Sequence, residues 1–142
     1  MYKKIFLGIA AAAAIAVGSL SASAAGFAKT NTYTPGMFND VPASEWYASS
    51  VSSSYELGFM KGTADGVFSP EGNMTVAEAI TIAARVHDAY NAKGTAFSQN
   101  GANWYDDYVK YAIDNGIIKS DAFDDYERPV KRYEMAVIFS KA

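Results

Sequence analysis

The chain repeats itself, and the repeat limits what it can fold into. Trp46-Tyr47 lines up with Trp104-Tyr105. At the same offset of 58 residues Val51 meets Val109, Gly58 meets Gly116 and Lys61 meets Lys119. After a two-residue deletion the offset becomes 56, and Glu78 then meets Glu134 and Ile82 meets Ile138. Both units run in one order: Trp-Tyr, an apolar helical stretch, a glycine, a loop, a second helical stretch. Units of that kind stack on one another to cover their apolar faces. The expected fold class is all-α, built from helix–loop–helix repeats.

The local signals place four helices. In unit two Val109, Ala112 and Ile113 recur at helical spacing before Gly116 stops the run, and Asn103 is the expected N-cap with Asp106 three residues on. In unit one Ser44 is the expected cap and Gly58 the stop. The serines at 52–54 are poor helix formers, so Val51, Tyr55 and Leu57 must hold that helix by packing. The second helices are clearer. Thr75-Val76-Ala77-Glu78 has the form of a capping box, followed by a stripe of Ala79, Ile82, Ala83 and Val86 that Tyr90 extends. Met135, Ile138, Phe139 and Ala142 repeat the stripe in unit two. Lys131 stands at the cap position there and has no acceptor. That start is expected to be weaker, or capped by the Tyr126–Pro129 backbone. Between the helices of unit one, Gly62 to Pro70 reads as a tight loop anchored by Phe68, with Phe123 in the matching place of unit two.

Ahead of the repeats, Lys3 and Lys4 precede an apolar run from Ile5 to Val17, and small residues lead to Ala24-Ala25. Thirteen apolar residues are too few to span a bilayer comfortably, so residues 1–25 read as an export signal and no membrane span is expected after cleavage. Its removal would leave 117 of the 142 residues and shift the net charge from −3 to −5. Residues 26–37, with Pro35-Gly36, read as a linker, 38–95 as the first repeat and 96–142 as the second, cut short.

Composition closes off several functions. The chain has no cysteine and a single histidine, so disulfides, thiolate zinc sites and multi-histidine metal sites are excluded. Twelve basic against fifteen acidic side chains argue against a nucleic-acid partner, which calls for clustered positive charge. The Asp121 and Asp65 segments both fail the calcium-loop pattern at the sixth and twelfth positions, and the acids read as a solvated face. His87 reads as a partly buried packing residue. No arrangement of acids supports a glycosidase, so no enzyme, cofactor or metal is expected.

Phe38-Asn39-Asp40-Val41, then Trp46, then Gly62-Thr63-Ala64-Asp65-Gly66-Val67-Phe68-Ser69-Pro70, then Thr75-Val76-Ala77-Glu78 resemble, in that order, the S-layer homology (SLH) family. The resemblance is close over residues 38 to about 90 and weaker from Phe97 onward. It implies repeats that form part of a pseudo-threefold helical prism and bind a secondary cell wall polysaccharide, often pyruvylated, in grooves between repeats. It implies a secreted protein held at the cell wall or S-layer surface. Carried over one by one, the family's groove residues fall on Asp40, Trp46, Gly62, Trp104 and Arg132. The chemistry suits an anionic sugar, because an indole packs on a sugar ring and a guanidinium forks a carboxylate.

The sequence departs from the family where Val76 replaces an arginine, Gln99 replaces the acid of unit two, and Ser120 replaces Gly62. Two readings stand for several residues. The tryptophans either pack in the core or stack on sugar; Asp40 either caps its loop or binds; Arg132 is either a solvated charge or the ligand's partner. The tyrosines of unit two either stack on sugar or form an interface. The expected partners are a cell wall polysaccharide and, on a chain with two units where the family has three, further SLH repeats in the same or another chain. The second functional reading is a self-assembling or partner-completed surface-layer subunit that does not bind glycan directly.

Overall fold

The computed structural model describes residues 26–98 and 101–142. The export signal expected over residues 1–25, and Gln99, lie outside them. The described residues hold four helices, α1 (Ala48–Glu56), α2 (Val76–Tyr90), α3 (Asp106–Asp114) and α4 (Arg132–Phe139), and no strands. The all-helical class is as the sequence predicts.

The helices do not pair within their units. Helix α2 packs against α3 and α4 of unit two, whereas α1 packs on no other helix among the described residues. The main core is therefore shared between units: Val76, Ile80, Ala83 and Ala84 of α2 meet Tyr108, Tyr111 and Ala112 of α3, with Ile117, Ile118 and Ile138. Being covered on two sides, α2 buries a wider face than the expected stripe. Ile80 and Ala84 are fully buried, Ile82 and Val86 only partly, and Tyr90 is exposed. On α3 the buried face turns toward Tyr108 and Tyr111, leaving Val109 and Ile113 half-buried. A second cluster belongs to unit one alone. Phe38, Val41, Val51 and Phe68 close it, and the Phe38 and Phe68 rings meet at 5.2 Å, so Phe68 is the loop anchor expected of it.

The helix starts show how the units are joined. The capping box at α2 forms: Glu78 N–H donates to Thr75 Oγ1 at 3.2 Å, and Thr75 N–H donates to the Glu78 carboxylate at 2.8 Å. The next two amides, of Val76 and Ala77, donate to the carbonyls of Arg128 at 3.0 Å and Tyr126 at 2.9 Å. The backbone expected to cap α4 thus caps α2 instead. At α4 the work falls to Glu134, whose carboxylate accepts Lys131 N–H at 2.8 Å and a two-pronged ion pair from Arg128 at 2.9 and 2.7 Å.

The expected caps of α1 and α3 are not helix caps. The helices begin later, after Tyr47 and Tyr105, and Asn103 is a donor: its N–H and side-chain amide both reach the Asp106 carboxylate. Gly58 and Gly116, at φ +74° and +72°, follow the ends of α1 and α3.

Residues 26–37 have no regular structure but are not a loose tether. Thr30 and Asn31 N–H groups donate to Glu56 O at 2.7 and 3.1 Å, Lys29 pairs with Glu56 at 2.7 Å, and Phe27 meets Phe59 edge-on at 5.1 Å. A β-carbon on Gly58 would lie 2.6 Å from Thr30 Oγ1, so the glycine lets this segment close on α1.

Candidate functional site

Where the two units meet, a cleft of about 380 Å³ opens. One wall is the loop of unit one, from Phe59 to Thr63 and Phe68 to Met74. The floor is one face of α2, carrying Glu78, Thr81, Ile82 and Arg85, and Trp104 of unit two closes the far side.

Each wall has a local cause. The loop is folded by Asp40, whose carboxylate accepts the Phe68 N–H at 2.9 and 3.2 Å and the Ser69 N–H at 2.6 Å. Those amides, Phe68 first, hold the Asp40 carboxyl below its usual range despite partial desolvation. Gly62 allows the loop to fold back: it sits at φ +89°, and a β-carbon there would lie 2.5 Å from Val67 O and 3.0 Å from the Phe38 ring. Arg85 is fixed by contacts to both units. Its guanidinium donates to Phe59 O at 3.0 Å and to Tyr108 Oη at 2.9 Å, and lies 5.0 Å from the centre of the Tyr108 ring. Two of its five N–H donors are engaged this way, and the charge stays at the cleft. The Thr81 hydroxyl, buried in the floor, has no hydrogen-bond partner among the described residues.

The cleft brings together two of the five residues expected at a site, Gly62 and Trp104. Asp40 stands behind the loop and shapes it. Trp46 is 86% exposed beside Tyr47, away from the cleft lining, and Arg132 is exposed at the start of α4. Both tryptophans precede their helices rather than lying on an apolar helical face, which is why core packing does not claim them; Trp104 is 41% exposed. Arg85 is the residue that sequence reasoning passed over. Its trace was there: a lone guanidinium inside the apolar run from Ile80 to Val86 calls for a buried partner or a ligand.

His87 packs on Tyr111, with Nδ1 3.0 Å from the phenol oxygen. Among the described residues no group of three or more His, Asp or Glu side chains converges to hold a metal, and no helix is long and apolar enough to cross a membrane.

In class, the described residues form an all-helical fold with a cleft between α2, the loop before it and Trp104. Residues 38–80 match the S-layer homology (SLH) domain family. Over 120 residues, 83% of this chain, it is 32% identical to the S-layer protein sap of Bacillus anthracis and 30% identical to an S-layer protein of Bacillus thuringiensis subsp. finitimus. It spans 14% of the length of either relative. No solved structure gives a significant match. The SLH domain and these relatives mark a secreted cell-surface protein.

Proposed function

We propose that the chain is a non-covalent anchoring module that holds an exported protein at the cell envelope by binding a secondary cell wall polysaccharide that carries pyruvate. The observation that carries this reading is the cleft, whose lining brings together Arg85 and Trp104 around a space large enough for a sugar unit. An indole face packs on the apolar face of a sugar ring, and a guanidinium pairs with a carboxylate through charge-assisted hydrogen bonds. Gly62 lets the loop wall fold back on itself, and Asp40 keeps that loop closed. Arg85 takes the place of the arginine that Val76 lacks. Trp46 and Arg132, exposed outside the cleft, belong to secondary contacts along a longer glycan. No chemistry on the substrate is needed; the role is structural and non-enzymatic. The proposed domain division keeps its two repeats, with residues 26–37 joined to the first.

Co-sedimentation with cell wall sacculi tests this reading. The protein should pellet with intact sacculi and stay in solution once the non-peptidoglycan glycan has been stripped. Equal pelleting with stripped sacculi would refute glycan recognition.

A further inference from the structure

Ser69 stands on the loop wall of the cleft in a backbone conformation that its residue type does not favour. Its φ is +62°, in the left-handed region that L side chains rarely adopt, and the proline that follows it favours extended backbone instead. The residue is held there from several sides. The Asp40 carboxylate accepts the Ser69 N–H at 2.6 Å, the Ser69 carbonyl accepts the Gly72 N–H at 3.0 Å, and the Ser69 and Thr63 hydroxyls lie 2.8 Å apart. The contacts to Asp40 and Gly72 use only the backbone of residue 69. A glycine would make them equally well and would take this φ without strain. The turn itself therefore gives no reason for a serine. What the serine adds is its hydroxyl, and strain held in place by the surrounding structure is a mark of functional positions.

That hydroxyl does not serve a core. Ser69 and Thr63 are both exposed, and both line the cleft beside Gly62. Thr63 is fixed in turn, its N–H donating to Val67 O at 2.9 Å. Within the pair one hydroxyl proton is given to the partner, whichever way the bond runs. The other proton stays available, with lone pairs on both oxygens. Such a pair both donates and accepts, as the hydroxyls of a sugar do. Arg85, the cation of the cleft floor, only donates. The guanidinium suits a carboxylate, and the hydroxyl pair suits the neutral part of the same ligand.

We propose that Thr63 and Ser69 form a hydroxyl-reading subsite on the loop wall, where they exchange hydrogen bonds with free hydroxyl groups of the bound sugar and so set which sugar the cleft accepts. The subsite rests on the anchoring reading and adds to it the residues that recognise the uncharged part of the glycan.

Co-sedimentation with sacculi, run as a titration with thermal melts of the same samples, tests the proposal. Ser69→Gly removes the hydroxyl and the strain together. It should melt at or above the wild-type temperature and yet bind at least about fivefold more weakly. Thr63→Val removes the other hydroxyl at nearly constant shape and should weaken binding by a similar factor. Thr63→Ser keeps the hydroxyl and should stay within about twofold of wild type. Stability that holds or rises while binding falls is a signature that a hydroxyl serving only the loop's fold does not give. Ser69→Gly or Thr63→Val binding like wild type overturns the proposal. So does a fall in the melting temperature of Ser69→Gly, and so does Thr63→Ser binding as weakly as Thr63→Val. Wild type that fails to pellet with intact sacculi refutes the anchoring reading and the subsite with it, whereas wild type that pellets together with both hydroxyl-free variants refutes the subsite alone.

Discussion

The same Trp-Tyr dipeptide opens both units and meets two different fates. Trp104 closes a cleft whose other walls come from unit one, whereas Trp46 is left 86% exposed. The second helices diverge likewise. At α2, Glu78 completes a capping box with Thr75, and the next amides find carbonyls of unit two. At α4, Lys131 offers no acceptor, and Glu134 is buried against Arg128. A repeated sequence therefore does not mean a repeated environment. A residue's role is set by which neighbour faces it.

That asymmetry can be broken in order of expected effect. Ile80→Ala strikes the core shared by both units and should cost about 2–5 kcal/mol in denaturant unfolding. Val51→Ala strikes the cluster of unit one alone and should cost about 1–2 kcal/mol, at roughly 0.8 kcal/mol for each buried carbon lost. If the two cost the same, the core is not shared as described.

The acid response should separate the two second helices. Arg128 first, then the Lys131 N–H, holds the Glu134 carboxyl at about 2, below its ordinary 4.5. A carboxyl depressed in the folded state stabilises above its unfolded pKa and loses that contribution as pH falls through the folded one. The stabilisation from Glu134 is therefore present above pH 4.5 and lost between about 4.5 and about 2. Glu134→Gln should lower the melting temperature at neutral pH and flatten its fall over that window. An unchanged acid slope would mean the Arg128 pair does not persist in solution.

Asp40→Asn should have a smaller effect, confined to the loop. The amide keeps one acceptor for Phe68 and Ser69 where the carboxylate offers two. Hydrogen exchange at those two amides should quicken while α2 and α3 keep their protection.

Much of this fold is legible in the sequence because its causes are local. The Thr75–Glu78 box, the glycines that follow α1 and α3, and the Phe68 anchor each depend on residues a few positions apart or on one apolar side chain. What the sequence hides depends on distant partners. Nothing near Lys131 announces that Glu134 will pair with Arg128, or that the 126–130 backbone will cap a helix fifty residues earlier. The 26–37 segment looks like a tether because its partners, Glu56 and Phe59, lie across a turn of the fold. Arg85 escapes notice because its place in an apolar run suggests core, whereas its contacts reach Phe59 on one side and Tyr108 on the other. The tryptophans mislead in the opposite sense: their size suggests burial, but each falls in the turn before its helix.

The sharpest test uses the two tryptophans against each other. Wild type, Trp104→Ala and Trp46→Ala should be titrated against intact sacculi, with circular dichroism melts run alongside. Binding should fall at least about tenfold for Trp104→Ala, while Trp46→Ala stays within a few-fold of wild type and both variants melt cooperatively. If Trp104→Ala binds like wild type, or if Trp46→Ala is the variant that loses binding, the cleft between the units is not the site.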